Sequence, residues 1–171
     1  GETLRKYGKC GAYAFAGEDL KSYETAGKEI HALMAMLEKN GISPGDKVAI
    51  LSSNMPNWGI AFFAVTFMGA VAVPVLPDFS NTEVGNVLEH SEAKAIFIST
   101  SLLARIEGFK SEFLKTAILI EDYSILFSQE GAVGFKPEAL PARHYEVDEE
   151  DLASIIYTSG TTGRSKGVML T

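Results

Sequence analysis

The chain has 171 residues, of which 46% are hydrophobic and 22% are charged. This is the composition of a folded globular domain and argues against intrinsic disorder. The formal net charge of −7 at pH 7 argues against a nucleic-acid backbone as a partner. The single cysteine, Cys10, cannot form an internal disulfide, which favours a reducing compartment.

The first helix is predicted to begin after Ser22, whose hydroxyl can cap it. Apolar residues recur there at three- and four-residue spacing and give the helix one buried face: Ala26, Ile30, Leu33, Met34 and Leu37. Asn40-Gly41 is a natural end, because glycine accepts the left-handed conformation that follows a last helical turn. Residues 47–52, KVAILS, are a short β-branched run that predicts a buried strand.

Residues 48–77 contain no charged side chain, and the run is long enough to span a bilayer. Polar residues and prolines break it early, and glycine and proline punctuate its end: Ser52, Ser53, Asn54, Pro56, Asn57, Gly69, Pro74 and Pro77. The pieces that remain are each too short to cross a membrane. We therefore predict a strand, a loop, a buried helix and a second strand in a folded core.

Strands and helices alternate through the rest of the chain. Further strands are predicted at residues 70–76, 93–99, 115–121 and 153–159, and helices at residues 58–69, 80–90 and 102–109. Ser80 and Glu83 have capping-box spacing at the start of the second of these helices. Residues 122–145 show no clear period and are predicted to be irregular, and the acidic run 146–151 is predicted to be a solvated surface.

Alternation of strands with helices indicates parallel crossovers that cover both faces of a sheet. The predicted fold class is α/β, with a mostly parallel layered β-sheet and helices on both faces. No repeat or linker divides the chain, so we expect residues 1–171 to belong to one domain. The N-terminal sequence has no apolar run of signal-peptide length, which favours a cytoplasmic location. Peripheral contact with the inner face of the membrane and the oligomeric state are left open.

The stretch YTSGTTGRSKG, residues 157–167, follows a predicted strand, and ligands collect beyond the carboxyl ends of such strands. Its glycines (Gly160, Gly163 and Gly167) let the backbone turn tightly and approach a ligand. Hydroxyl donors and cations accompany them: Thr158, Ser159, Thr161, Thr162, Arg164 and Lys166. Every one of these features suits a polyphosphate.

Two common phosphate motifs do not fit this loop. A Walker loop needs Gly-Lys followed by Ser or Thr, whereas here Ser165 precedes Lys166 and Gly167 follows it. A dinucleotide fingerprint also fails, because Gly-x-Gly-x-x-Gly does not occur. The alternative is a polar surface loop without a ligand. The ordered glycines, the position after a strand and the lysine favour phosphate binding.

The sequence YTSGTTGRSKGVMLT, residues 157–171, resembles the signature phosphate loop of the adenylate-forming (AMP-binding) family. This family includes acyl-CoA synthetases, luciferases and peptide-synthetase adenylation domains. Residues 41–99 resemble the opening half of the family's large domain, and residues 20–41 resemble its first helix. The resemblance therefore extends from Leu20 to Thr171. Within the family, the sequence most resembles bacterial long-chain fatty acid–CoA ligases.

The resemblance implies a two-step ligase. A carboxylate attacks the α-phosphorus of ATP to give acyl-AMP and pyrophosphate, and the thiol of coenzyme A or of a carrier protein then displaces AMP. It implies that the loop from Thr158 to Lys166 holds the β- and γ-phosphates, with Lys166 as the catalytic cation. It also implies that Thr158 is the position associated with Mg²⁺. Ser165 stands where the family usually has proline, so we expect a less preorganised loop and an effect on rate.

The family's fold continues past the end of this sequence, so the resemblance implies an N-terminal part of the large domain that is inactive alone. The alternative is a stand-alone module that binds a nucleotide or a protein. Because chain ends form few contacts, we expect residues from Gly160 onward to be poorly ordered.

Other candidate residues are predicted to be structural. Three histidines, His31, His90 and His144, lack metal-ligand spacing. Cys10 has no neighbouring His and Asn that would indicate a thiol nucleophile. The aromatic group Trp58, Phe62, Phe63 and Phe67 could line an acyl pocket, but its helical spacing in an uncharged run favours core packing.

Overall fold

A computed structural model describes residues 6–14, 17, 19–129, 131–141, 143–158 and 166–171. The described helices are α1 (Tyr23–Lys39), α2 (Pro56–Phe67), α3 (Asn81–His90) and a 3₁₀ helix (Thr100–Arg105). The described strands are β1 (Gly11–Tyr13), β2 (Lys21–Ser22), β3 (Lys47–Leu51), β4 (Val71–Val75), β5 (Ala95–Ile98), β6 (Thr116–Leu119), β7 (Ile125–Ser128), β8 (Ser154–Thr158) and β9 (Lys166–Leu170).

Seven strands form one sheet in the order β7-β6-β5-β3-β4-β8-β9. The five inner strands run parallel, and β7 and β9 pair antiparallel at the two edges. Strands β1 and β2 form a separate antiparallel pair. The predicted α/β class with a mostly parallel layered sheet is confirmed.

The sheet is covered by helices on both faces. Alternate residues of β3 show this, because Val48 and Ile50 pack with α1 and α2, whereas Ala49 and Leu51 pack with α3. Each face therefore has its own apolar core. This arrangement is why the inner strands are apolar on both sides rather than alternating with polar residues.

The caps that the sequence predicts for α1 and α3 are confirmed. The hydroxyl of Ser22 accepts a hydrogen bond from the Thr25 amide at 3.1 Å, and α1 ends at Lys39. Gly41 follows with φ of 82°, the left-handed conformation expected after the last turn. At α3, Ser80 and Glu83 form the complete capping box.

The uncharged run 48–77 folds as β3, α2 and β4, as predicted. Helix α2 begins at Pro56, where the ring's fixed φ suits the first helical turn. Its inner face is made of small and branched side chains: Ile60, Ala61, Ala64 and Val65. None of the helices in the described ranges is long and apolar enough to cross a bilayer.

Three predictions about local structure are wrong. Residues 102–109 do not form an α-helix, since a 3₁₀ helix ends at Arg105 and Gly108 turns the chain with φ of 73°. The segment predicted to be irregular contains β7, which a tight turn at Tyr123 folds back onto β6. The end of the chain is not poorly ordered at residues 166–170, because β9 pairs with β8 along its whole length.

Candidate phosphate-binding site

The predicted site residues lie at the open end of the β8–β9 hairpin. Thr158 is the last residue of β8, Lys166 is the first residue of β9, and the two are direct cross-strand partners. The remaining predicted residues, Ser159, Gly160, Thr161, Thr162, Gly163 and Arg164, lie outside the described residues, as does Ser165. The structure thus brings together the two ends of the predicted loop.

Thr158 lies at the carboxyl edge of the parallel sheet. Strand β8 runs parallel to β4, with Ser154 opposite Ala72, so both strands end on the same side. The Ser154 hydroxyl donates to the Ala72 carbonyl at 3.0 Å and fastens β8 to its neighbour. Ligands of open α/β sheets bind beyond this edge. The position therefore agrees with the one predicted from the sequence.

The side chains of Thr158 and Lys166 project from the same face of the hairpin, because directly paired residues of an antiparallel ladder point to one side. On that face the neighbouring side chains of Ile156 and Val168 are exposed by 40% and 49%. No salt bridge joins Lys166 to any other residue that the structure describes. A hydroxyl and a cation thus project side by side from an uncovered surface.

The opposite face of the hairpin packs on α3 through Tyr157. The ring is only 3% exposed and belongs to the apolar core on the α3 side. Its Oη lies 2.8 Å from Nδ1 of His90, and the two rings meet edge to face at 5.7 Å. Burial raises the pKa of the Tyr157 hydroxyl, so the phenol stays neutral at physiological pH.

The contact between His90 and the hairpin was not predicted from the sequence. The lack of metal-ligand spacing indicated only a structural role for His90, and 67 positions separate it from Tyr157. The sequence shows only that His90 lies at the end of a helix, and the fold places that end of α3 beside β8.

Gly167 packs against its own hairpin partner. A Cβ at this position would lie 2.8 Å from Ile155 Cγ2 and 3.3 Å from Cζ of Tyr157. The bare backbone of β9 therefore lets the side chains of β8 close over it. This packing favours glycine at position 167, and the approach of its backbone to a ligand stays a prediction.

The resemblance implies Mg²⁺, and the described residues fit an ion that is held by few protein ligands together with substrate phosphates. They contain no group of three or more His, Cys, Asp and Glu side chains that could hold a metal ion. Thr158 offers one exposed hydroxyl oxygen at the strand end. Mg²⁺ usually takes one or two protein ligands together with substrate phosphates and water. The site fits a metal that arrives with a triphosphate.

The other predicted candidates lie elsewhere. His31 and His144 line a groove of about 710 Å³ between α1, α2 and residues 140–147. Burial lowers the pKa of His31 there. The groove also contains Val147, which lies against Gly69 just before β4, so it opens toward the amino-terminal edge of the sheet. It is therefore not part of the hairpin site.

The aromatic group on α2 is not central to the core. Trp58, Phe62 and Phe67 pack partly buried against the core margin, and Phe63 is 37% exposed. Trp58 stacks on Phe62 with ring centroids 5.4 Å apart. The buried face of α2 consists instead of Ile60, Ala61, Ala64 and Val65. Cys10 is exposed and has a free thiol.

Comparison with known proteins places this fold and loop in a family. The family model described as AMP-binding enzyme matches residues 3–171. The long-chain-fatty-acid–CoA ligase FadD15 of Mycobacterium bovis is 35% identical over 153 residues, which cover 85% of this chain and 25% of that protein. The 4-coumarate–CoA ligase 4 of Arabidopsis thaliana is 29% identical over 158 residues, which cover 88% of this chain and 28% of that protein.

A solved fatty acyl CoA synthetase of Mycobacterium tuberculosis has the same fold as this chain. The TM-score is 0.80 at 21% identity, over 99% of this chain and 33% of that protein. The chain thus spans about a quarter of the length of the curated relatives named above and a third of this structure. The family match covers nearly the whole chain and includes the β8–β9 hairpin. The chain belongs to the AMP-binding, or adenylate-forming, enzyme family.

Proposed function

We propose that residues 1–171 form the N-terminal part of the large domain of an ATP-dependent acyl-CoA ligase. In the first step a carboxylate oxygen attacks the α-phosphorus of ATP, and the bond to the bridging oxygen breaks to release pyrophosphate. In the second step the thiol sulfur of coenzyme A attacks the acyl carbon, loses its proton and releases AMP. A carrier-protein thiol is the alternative acceptor.

The observation that carries the proposal is the pairing of Thr158 with Lys166 at the carboxyl edge of the sheet. Both residues begin or end a strand, so their backbones are fixed while their side chains project from an exposed face. The hairpin can therefore present a hydroxyl donor and a cation to the same phosphate group. Fixed donors around a leaving group stabilise the charge that develops on it.

In this proposal Lys166 holds the β- and γ-phosphates as pyrophosphate departs. Lysine suits this role because its ammonium is a compact point charge with three donors. The loop residues that complete the phosphate site are Ser159, Gly160, Thr161, Thr162, Gly163 and Arg164. Thr158 would hold Mg²⁺, which when bound neutralises part of the phosphate charge.

The acyl substrate is proposed to be a fatty acid. Support comes from the relative named a long-chain-fatty-acid–CoA ligase, which has higher identity to this chain than the 4-coumarate–CoA ligase. We place the enzyme in the cytoplasm, and peripheral contact with the membrane is a secondary part of the proposal.

The experiment that tests the proposal is product analysis with the full-length protein. The protein is incubated with ATP, Mg²⁺, coenzyme A and a panel of fatty and aromatic acids. We expect AMP, pyrophosphate and a thioester to appear in equal amounts with fatty acids. Release of ADP and phosphate, or no nucleotide turnover with any acid, would contradict it. An aromatic preference would overturn only the fatty-acid assignment.

A further inference from the structure

The hydrogen bond between His90 and Tyr157 links the end of α3 to the strand that leads into the phosphate loop. The Nδ1–Oη distance is 2.8 Å, and the ring planes are nearly perpendicular at 86°. Tyr157 immediately precedes Thr158 in β8. Its neighbour across the ladder is Gly167, which immediately follows Lys166. The cross-strand pair Tyr157–Gly167 is therefore adjacent to the pair Thr158–Lys166 in the hairpin.

The position of His90 is itself fixed by the fold. Three side chains of α3, Val84, Val87 and Leu88, are buried in the core on this face of the sheet. At the other end of the helix, Asn81 Nδ2 donates to the Ala104 carbonyl at 3.2 Å, in addition to the capping box. Because α3 is held along its length, His90 gives Tyr157 a fixed partner.

The hydrogen bond does not depend on one protonation state of the histidine. A phenol both donates and accepts, so Tyr157 can donate to a neutral Nδ1 or accept from a protonated one. Loss of this partner would leave the buried phenol without a hydrogen bond and would destabilise the folded hairpin. The geometry thus keeps the ring oriented, and the ring covers Gly167 on the facing strand.

We propose that His90 is a positioning residue for the adenylation step. It acts through Tyr157, which fixes the paired strands from which Thr158 and Lys166 project. A hairpin held before ATP arrives loses less conformational freedom on binding and presents its donors preorganised. This inference rests on the proposed function, since it assigns a role in the same site.

The test uses the full-length protein and four variants: His90→Ala, His90→Asn, Tyr157→Phe and the double variant His90→Ala/Tyr157→Phe. Carboxylate-dependent ATP–pyrophosphate exchange gives kcat/KM for ATP. Thioester formation from pre-made acyl-AMP is measured separately. His144→Ala, an exposed histidine outside the hairpin, is the matched control.

We expect His90→Ala and Tyr157→Phe each to lower kcat/KM for ATP in the exchange by about 2- to 10-fold, the range of one neutral hydrogen bond. The double variant is expected to lose no more than either single variant, because both remove the same bond. His90→Asn restores a donor and acceptor near the Nδ1 position and is expected to recover most of the activity. The second half-reaction and the control are expected to be unchanged.

Several results would overturn the inference. Exchange that is unaltered in both single variants, additive losses in the double variant, or equal losses in the two half-reactions each exclude a positioning role. Tyr157→Phe retains the ring, so it keeps the test valid if His90→Ala does not fold. Absence of exchange in the unaltered protein overturns the proposed function as well, which separates that failure from the others.

Discussion

Asn40 and Val133 are joined by two hydrogen bonds across 93 positions of the chain. Asn40 Nδ2 donates to the Val133 carbonyl at 2.8 Å, and Asn40 Oδ1 accepts from the Val133 amide at 3.2 Å. The same Nδ2 also donates to the Met36 carbonyl at 2.8 Å. Asn40 is 1% exposed, and its bond to Met36 is buried, whereas its bonds to Val133 are partly buried. One side chain therefore fastens the end of α1 to the segment after β7.

Replacement Asn40→Ala is expected to lower the free energy of unfolding by about 2 to 4 kcal/mol, because it removes three hydrogen bonds and takes this partner away from the half-buried amide and carbonyl of Val133. Urea denaturation of the chain measures this. Asn54→Ala, at an exposed position, is the control and is expected to change stability by less than about 0.5 kcal/mol. An equally small effect at Asn40 would show that the long-range bonds do not stabilise the fold.

Tyr123 makes the stability of the chain sensitive to high pH. Its ring is 4% exposed, and its hydroxyl is buried without a hydrogen-bond partner among the residues that the structure describes. Burial, aided by the negative charge of Glu29, raises the pKa of this hydroxyl. An unfolded tyrosine ionises near pH 10, whereas the folded one stays neutral above that pH. Ionisation of this tyrosine therefore does not affect stability below about pH 10, and the free energy of unfolding falls as pH rises beyond it.

The variant Tyr123→Phe is expected to stabilise the chain by about 1 kcal/mol at pH 7, because it removes an unsatisfied hydroxyl. Above pH 10 it should also reduce the slope of unfolding free energy against pH by about 1.4 kcal/mol per unit, the contribution of one proton. Denaturation curves between pH 7 and pH 11 measure both. The control is Tyr7→Phe, since Tyr7 is 46% exposed. Identical slopes for Tyr123→Phe and the unaltered chain would contradict the prediction.

Gly167→Ala is expected to strain the β8–β9 hairpin. The added Cβ would lie 2.8 Å from Ile155 Cγ2, so that side chain must move. Overpacking of this kind costs about 1 to 3 kcal/mol. Gly134→Ala is a matched control, because an added Cβ there meets no atom within 4 Å. Thermal unfolding compares the two, and equal unfolding midpoints would mean that the hairpin has room for the methyl group.

The chain of 171 residues alone is expected to form no acyl-CoA. The relatives that it matches are about three to four times as long, and the hairpin supplies only phosphate-facing groups of the proposed site. A thioester assay with the purified chain, fatty acid, ATP and coenzyme A checks this. Turnover that persists after removal of contaminating ligases would show that these residues are a sufficient enzyme.

Local signals predicted most of the elements correctly. The starts of α1 and α3 were predictable from Ser22 and from Ser80 with Glu83, because a cap depends on residues only three positions apart. The inner strands β3, β4, β5 and β6 were also predictable, since burial on both faces leaves continuous apolar runs. Strand β8 was predicted from its apolar run, although its Ile156 side is exposed. Strands β7 and β9 were missed. Each exists through antiparallel pairing with a neighbour at the sheet edge, and pairing leaves little trace in the edge sequence itself.

The site could be predicted only as a segment of sequence. The loop motif indicated phosphate binding, which stays a prediction, and the structure shows that Thr158 and Lys166 lie opposite one another. The support of this hairpin by His90 could not be predicted, because it depends on where α3 ends in three dimensions. The packing of Ile155 and Tyr157 over Gly167 could not be predicted for the same reason, since the sequence does not show which residues face it across the ladder.

The central claim is that Lys166 stabilises departing pyrophosphate at the end of the hairpin. In the full-length protein, Lys166→Ala is expected to reduce ATP–pyrophosphate exchange by roughly 10- to 100-fold, because one preorganised donor to developing charge is lost. We do not expect a larger loss, because Arg164, two positions earlier in the sequence, can also stabilise the phosphate charge. Lys28→Ala, an exposed lysine paired with Glu24 on α1, is the charge-matched control.

The most direct measurement compares the two half-reactions of folded Lys166→Ala protein, with exchange reporting adenylation and pre-made acyl-AMP reporting thioester formation. We expect a 10- to 100-fold loss in exchange, roughly the effect of removing one such donor, and little change in thioester formation, since no triphosphate takes part in the second step. Equal losses in both half-reactions, or full exchange activity, would contradict it.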